Sequence, residues 1–267
     1  MPEGDTIFRA ARTLQRALGG KVVTGFESVF PHLTRVHDDT PITGRTVESV
    51  RAVGKHLLIE VSGGLVLRTH MRMNGSWHIY RPGETWQRGR RDMRIVLSTA
   101  DFVAVGFSIP VAEWVPAARM DRHAELSRLG PDLLGETFDE DDAIRRLTSR
   151  ADSEVADAVL NQRVMAGVGN VYKSELCFLG RVDPLTPVGA VPDLPAIVAK
   201  AKQLLEVNKA RPTRITTADT RRGYQLWVYG RRGPCLRCGT RIAKADQGPP
   251  GQQRPTYWCP TCQPRLG

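Results

Sequence analysis

The chain has no apolar run approaching the roughly 20 residues that a membrane-crossing helix requires, which excludes such a span as an expectation. Its first residues hold no apolar segment of the kind that marks a secretory leader; they read as an amphipathic helix, so a cytosolic protein is expected. No internal repeat is evident, and no motif points to an organic cofactor or to oligomerisation, so a monomer is expected. Cysteine is scarce, with 5 in 267 residues, and in a reducing compartment these are not a disulfide framework. Acidic residues are outnumbered, 28 against 38 Lys+Arg, for a formal charge of +10. Such an excess suits a polyanionic partner, because each neutralised phosphate releases counterions. By itself it equally fits a ribosome-associated protein.

What is present is a change of period along the chain. Ile7, Ala11, Leu14 and Leu18 recur at helical spacing, with Asp5 or Thr6 placed to cap the start and Gly19-Gly20 to end it. From about residue 21 to 115 the pattern is β, with strands expected at 46–53, 56–61, 65–73, 92–99 and 102–109. Ser62-Gly63-Gly64 and residues 98–101 supply hairpin turns. Helical segments follow at 139–147, 153–164, 171–179 and 194–207, and the composition at 114–122, with Pro116, marks a boundary. The expected fold is α+β: a β-sandwich with a flanking helix over 1–120, a helical domain over 121–227, and a cysteine-bearing tail over 228–267.

Cys235-x-x-Cys238 and Cys259-x-x-Cys262 have the spacing of two knuckles that together make a tetrathiolate zinc site. Four thiolates close the coordination sphere, so a single Zn2+ there is structural. Cys177, among Leu176, Phe178 and Leu179, reads as buried filler. Arg254, inside the finger, offers a planar fork suited to phosphate. In Asn161-Gln-Arg-Val-Met-Ala-Gly-Val-Gly-Asn-Val-Tyr-Lys173 a helix breaks at Gly167 and Gly169 and a second starts at Asn170. Free amides at such a start cradle phosphates, which makes Asn170 and Lys173 candidate DNA contacts. Lys55 follows Gly54 at a strand start; Arg72 and Met73 lie on a turn that can wedge into a base stack. Taken alone, the two methionines Met71 and Met73 fit a core just as well. Finally, the chain begins Met1-Pro2-Glu3. Loss of Met1 is expected to leave Pro2 as a secondary amine able to form an iminium, with Glu3 beside it to supply a proton.

In this order, Pro2-Glu3-Gly4, Gly54-Lys55-His56, His70-x-x-Met73-x-Gly75-x-Trp77, Arg128-x-Gly130-Pro131-Asp132, Ala166-Gly-Val-Gly-Asn170-x-Tyr172 and the four-cysteine finger resemble the formamidopyrimidine-DNA glycosylase/endonuclease VIII family. The resemblance implies a protein that excises oxidised bases from damaged DNA and then cuts the strand. It implies attack by Pro2 on C1′, proton donation by Glu3, β-elimination assisted by Lys55 and δ-elimination assisted by Arg254. Arg72, Arg128 and Asn170 fall where the family contacts DNA. Residues 100–107 lack the Asp-Pro-Arg-Arg-Phe run of the purine-lesion branch, and Tyr257-Trp258-Cys259-Pro260 is similar to the endonuclease VIII branch, so oxidised pyrimidines are the expected substrates. Thr6 stands where many relatives carry a second acid, and the turn 71–73 differs from both main branches. A second reading keeps the fold without the chemistry, as a non-catalytic zinc-ribbon nucleic-acid binder. Pro2, Glu3, Lys55 and Arg254 together favour the enzyme.

Overall fold

The apolar stripe of the first residues builds α1 (Gly4–Leu18), and Ile7, Ala11, Leu14 and Leu18 are all buried. In the computed structural model, which describes residues 2–251 and 253–265, the helix begins before either expected cap. Glu3 takes the N-cap position, and its carbonyl accepts the amides of Thr6 (2.9 Å) and Ile7 (3.0 Å). Asp5 is drawn inward, 1% exposed, and accepts the Thr6 hydroxyl at 3.3 Å. Met1, whose removal is expected, lies outside the described residues.

Two antiparallel sheets follow. One has the order β1-β6-β7-β5, from β1 (Val23–Ser28), β5 (Ser76–Tyr80), β6 (Met93–Thr99) and β7 (Val103–Phe107). The other runs β2-β3-β4-β8, from β2 (Val47–Val53), β3 (His56–Val61), β4 (Leu65–His70) and β8 (Val111–Pro116). Because side chains alternate along a strand, Leu57, Ile59, Val61 and Leu67 of one sheet meet Ile95, Leu97 and Ala104 of the other, and α1 closes the same core. This is the expected sandwich with its flanking helix. The α2 helix (Pro31–Asp39), with Pro31 in its first turn, interrupts a stretch read as β. The strand expected to reach residue 73 ends at His70.

The chain divides into two compact units, Met1–Arg128 and Leu129–Gly267. The join falls beyond the 114–122 segment, because β8 runs through it to Pro116 and Met120 then packs with Leu58, Val66 and Val115 on the outer face of the second sheet. The second unit holds α3 (Glu140–Thr148), α4 (Val155–Leu160), α5 (Asn170–Leu179), α6 (Leu194–Asn208) and the hairpin of β9 (Ala243–Gln247) and β10 (Arg254–Trp258). Asp139 and Asp193 cap α3 and α6 by accepting amides at 2.8 and 2.9 Å. The helix expected over 153–164 stops at Leu160, because the Asn161 carboxamide oxygen accepts the Arg163 amide at 2.9 Å and turns the chain. Among the described residues no helix is long and apolar enough to cross a membrane.

A buried carboxylate organises the route from α5 to the cysteines. Glu175 is 0% exposed and accepts the amides of Trp227 (2.8 Å), Val228 (2.9 Å) and Tyr229 (2.8 Å), as well as the Thr216 hydroxyl. Burial pushes its pKa up, and these four donors oppose that shift. Removing it would take the acceptor from three amides, that of Val228 fully buried. Glu175→Ala is expected to lower stability by about 3–5 kcal/mol, measured as a loss of the urea midpoint followed by tryptophan fluorescence.

Candidate functional site

In the first unit, β3 and β4 set the geometry. His56 pairs with Val53 on one side and with His70 on the other, and the two rings meet edge to face at 4.9 Å. The register therefore puts Lys55, half-buried on the β2–β3 turn, and the 71–74 turn at the same end of this sheet. Pro2 is half-buried at the head of α1, and Glu3 beside it is 0% exposed.

The 71–74 turn separates its two methionines. Met71 is 2% exposed and belongs to the core, whereas Met73 is 48% exposed. Arg72 between them is exposed, with a left-handed φ of 48°, and its amide donates to His70 Nδ1 at 3.0 Å. Gly75 is required here: its amide donates to the Met71 carbonyl at 2.9 Å, and a Cβ would lie 2.5 Å from that oxygen.

Beneath the turn, Arg68 is 1% exposed and pairs with Glu113 at 3.0 Å and with Glu125. Burial, with the neighbouring charges of Arg72, Lys55 and Arg68, lowers the His70 pKa to about 4. Burial and His70 itself lower that of His56 to about 2. Both rings are neutral at neutral pH, which agrees with His70 acting as an acceptor.

In the second unit, the 161–169 turn is held by the Gln162 side chain. Its amide nitrogen donates to the carbonyls of Leu160 (2.7 Å) and Val168 (2.8 Å), and its oxygen accepts the Gly167 amide (3.1 Å). Asn170 opens α5 as expected, and its Nδ2 donates to the Pro255 carbonyl at 2.8 Å. The Ser174 hydroxyl accepts the Tyr257 amide at 3.3 Å. Strand β10 is thus seated on the first turn of α5, with Arg254 exposed at its start.

Lys173, expected to reach DNA, is 0% exposed, and Asn170 is 2% exposed, because residues Asn170 to Phe178 of α5 are all buried. The Lys173 charge acts on Asp157, opposing the upward push of burial there. Arg128 is exposed, as the last residue of the first unit. The Gly130-Pro131-Asp132 motif beyond it is structural. Gly130 donates to the Gln162 carbonyl (2.9 Å), the Ala166 amide to Pro131 (2.9 Å), and a Cβ at Gly130 would lie 2.3 Å from the Val164 oxygen.

The four finger cysteines bring their sulfurs within 4.8 Å of one another, and among the described residues they are the one such group of metal-ligating side chains. Cys238 and Cys259 are 3.4 Å apart and Cys235 and Cys262 4.0 Å. A tetrahedron with metal–sulfur bonds of about 2.3 Å has edges of about 3.8 Å, so the cluster fits a metal. Cys177 is buried, and burial pushes its thiol up to about 12. The sequence pattern alone did not single out Asp5 as a buried acid beside Glu3, nor Arg68 or Glu175, whose partners are distant in sequence.

Residues 1–108 match the family model for the formamidopyrimidine-DNA glycosylase N-terminal domain, and residues 129–215 match that for its H2TH domain. The chain belongs to the formamidopyrimidine-DNA glycosylase/endonuclease VIII family. It is 47% identical to a probable endonuclease 8 2 of Streptomyces coelicolor, over 98% of this chain and 94% of that one. It is 44% identical to the DNA-(apurinic or apyrimidinic site) lyase Nei2 of Mycolicibacterium smegmatis, over 98% and 99%. Endonuclease 8 of Escherichia coli is 33% identical, over 98% and 100%. The fold superposes on the Lactococcus lactis Fpg complexed with DNA containing an abasic site, with a TM-score of 0.82 and 21% identity, covering 99% of this chain and 100% of that one.

The neutral His70 carries a pH signature. Its folded pKa of about 4 lies below the ordinary 6.5, so as pH falls the unfolded chain takes up the proton first. The stability it contributes is complete above pH 6.5 and is lost between 6.5 and 4. His70→Gln, which keeps an acceptor for the Arg72 amide, is expected to flatten the stability–pH slope in that window by up to about 1.4 kcal/mol per pH unit. Denaturant titrations at stepped pH measure it.

Proposed function

We propose that the chain is a DNA glycosylase and apurinic/apyrimidinic-site lyase of base excision repair, acting through the amine of Pro2. The observation that carries this reading is the place of Pro2: it is half-buried and directly precedes Glu3, which is fully buried and takes the N-cap position of α1. An α-amino group titrates near about 8, which leaves part of it unprotonated at neutral pH. The names of the relatives, endonuclease 8 and an abasic-site lyase, support the same chemistry.

In this mechanism the Pro2 nitrogen attacks C1′ of a nucleotide turned out of the stack. The C1′–base bond breaks, Glu3 provides the proton during glycosidic cleavage, and opening of the sugar ring yields an iminium. Loss of a C2′ proton, assisted by Lys55, then expels the 3′ phosphate. Arg254 assists departure of the 5′ phosphate. Arg72, Met73, Arg128 and Asn170 contact the DNA: Met73 enters the stack, the arginines bind phosphate, and Asn170 acts through its hold on Pro255 as well as from the start of α5. Oxidised pyrimidines are the preferred substrates, since residues 100–107, the bend at 100–102 and the apolar strand β7, hold no arginine-bearing wedge. Cys235, Cys238, Cys259 and Cys262 would hold one zinc ion, which supplies structural closure only, and Arg254 lies on the hairpin that leads into Cys259.

Borohydride is expected to trap a covalent adduct with DNA containing an abasic site, and peptide mapping to place it on Pro2. Pro2→Gly is expected to reduce trapping by at least about tenfold. An undiminished adduct mapping to a lysine would overturn the assignment, and no adduct at all would leave the non-catalytic binder. In Arg254→Ala, β-elimination product is expected to accumulate at the expense of δ-product by about tenfold, read on denaturing gels.

A further inference from the structure

The connection between β5 and β6, residues 81–92, is fastened down along its length. The Arg81 amide donates to Glu84 Oε2 (2.8 Å), and the Gln87 amide to the Tyr80 hydroxyl (3.1 Å). Trp86 packs edge to face on Phe107 at 5.8 Å, within a small apolar cluster that also holds Tyr80, Met93, Val96 and Val105. A segment that binds its own sheet this way holds whatever side chain follows it in a set place.

That side chain is Arg88. One guanidinium nitrogen donates to the Asn74 carbonyl (3.4 Å) and the Ser76 hydroxyl (3.2 Å). The other donates to the Ser108 hydroxyl (3.0 Å) and lies 3.5 Å from Asp92 Oδ2. The carbon of the guanidinium sits 5.6 Å from the centre of the Phe107 ring. Arg88 therefore joins the 71–74 turn to the β7–β8 connection, with a cleft of about 400 Å³ between them lined by Met71, Met73, Arg88, Arg94 and Ile109. Both joined segments are strained. Arg72 has φ 48° and Ser108 φ 49°, two of the three left-handed non-glycine residues among those described. Such backbone persists only where its surroundings over-determine it.

We propose that Arg88 is a positioning residue for strand opening: it braces the Met73-bearing turn against Ser108 so that the turn does not yield when Met73 enters a base stack. An apolar wedge unstacks a base step only if the turn carrying it is stiffer than the stack. A planar fork that engages acceptors on two loops at once supplies that stiffness, and a lysine, with one nitrogen, does not. The chain lacks the arginine-bearing run in 100–107, and the guanidinium over Phe107 comes instead from a different strand connection. The inference rests on the enzymatic reading above.

The test uses Arg88→Ala and Arg88→Lys in the full chain and one abasic-site oligonucleotide in two forms, fully paired and within a mismatched bubble whose stack is already open. Single-turnover borohydride trapping measures reaction, and 2-aminopurine opposite the site reports unstacking. In both variants the ratio of paired to bubble rates is expected to fall on the order of tenfold, with a smaller 2-aminopurine rise on binding. An unchanged ratio, or equal losses on both forms, would overturn the inference while leaving the enzyme reading intact. A wild-type chain that traps neither form overturns both. Should Arg88→Ala fail to fold by circular dichroism, Arg88→Lys decides.

Discussion

The alignment of His56 with His70 across β3 and β4 is the constraint on which the first unit depends. It is enforced from the core. Slipping the ladder by one residue would turn Leu57, Ile59 and Val61 out of the sandwich, and each buried aliphatic side chain is worth about 1.5–3 kcal/mol. With the register fixed, Lys55 and the 71–74 turn share one end of the sheet, although residues 56–70 separate them along the chain. The arginine on the other face of the same strands, paired with Leu58, is held by a different means. Arg68, almost wholly buried, has Glu113 and Glu125 to balance it. A charge in that position needs both partners, because leaving it alone in a low dielectric costs several kcal/mol.

The second unit solves an equivalent problem with hydrogen bonds. The hairpin of β9 and β10 is short and carries few apolar side chains, so it has little core of its own. It is seated instead by Asn170 on Pro255, by Ser174 on Tyr257 and by Glu175 on the three amides that precede the first cysteine. One helix thus aligns the turn before it, the arginine-bearing strand and the approach to the metal cluster. That arrangement explains why α5 is buried all round and polar inside.

What the sequence disclosed and what it hid divide by distance along the chain. The cysteine knuckles, the Ser62-Gly63-Gly64 turn and the stripe of α1 are local patterns, and the structure contains each where local chemistry placed it. The α2 helix was hidden because Leu33 is its one buried residue, too little to impose a helical period on a stretch that began with Phe30-Pro31. The burial of Lys173 was hidden because nothing in its own segment shows that α5 is enclosed. On a helix enclosed on all sides a lysine is an internal cation, here acting on Asp157. Arg68, Arg88 and Glu175 were illegible for another reason: their partners are brought to them by sheet register and loop closure, which no single segment encodes.

The same distinction changes how the charge of +10 relates to DNA. Several arginines serve the fold itself: Arg68 lies under the sheet, Arg88 ties two loops, and Arg145 and Arg146 both pair with Asp142. Arg72, Arg128 and Arg254, by contrast, are exposed and lie on turns and element ends. The two histidines between Lys55 and Arg72 add nothing to this field at neutral pH, since burial holds both uncharged. The positive charge around that turn therefore does not vary with histidine titration across the physiological range. Only a neutral His70 can accept the Arg72 amide, and that bond helps to hold the strained turn in place. Suppressing one charge is thus a condition for presenting its neighbour in a fixed direction.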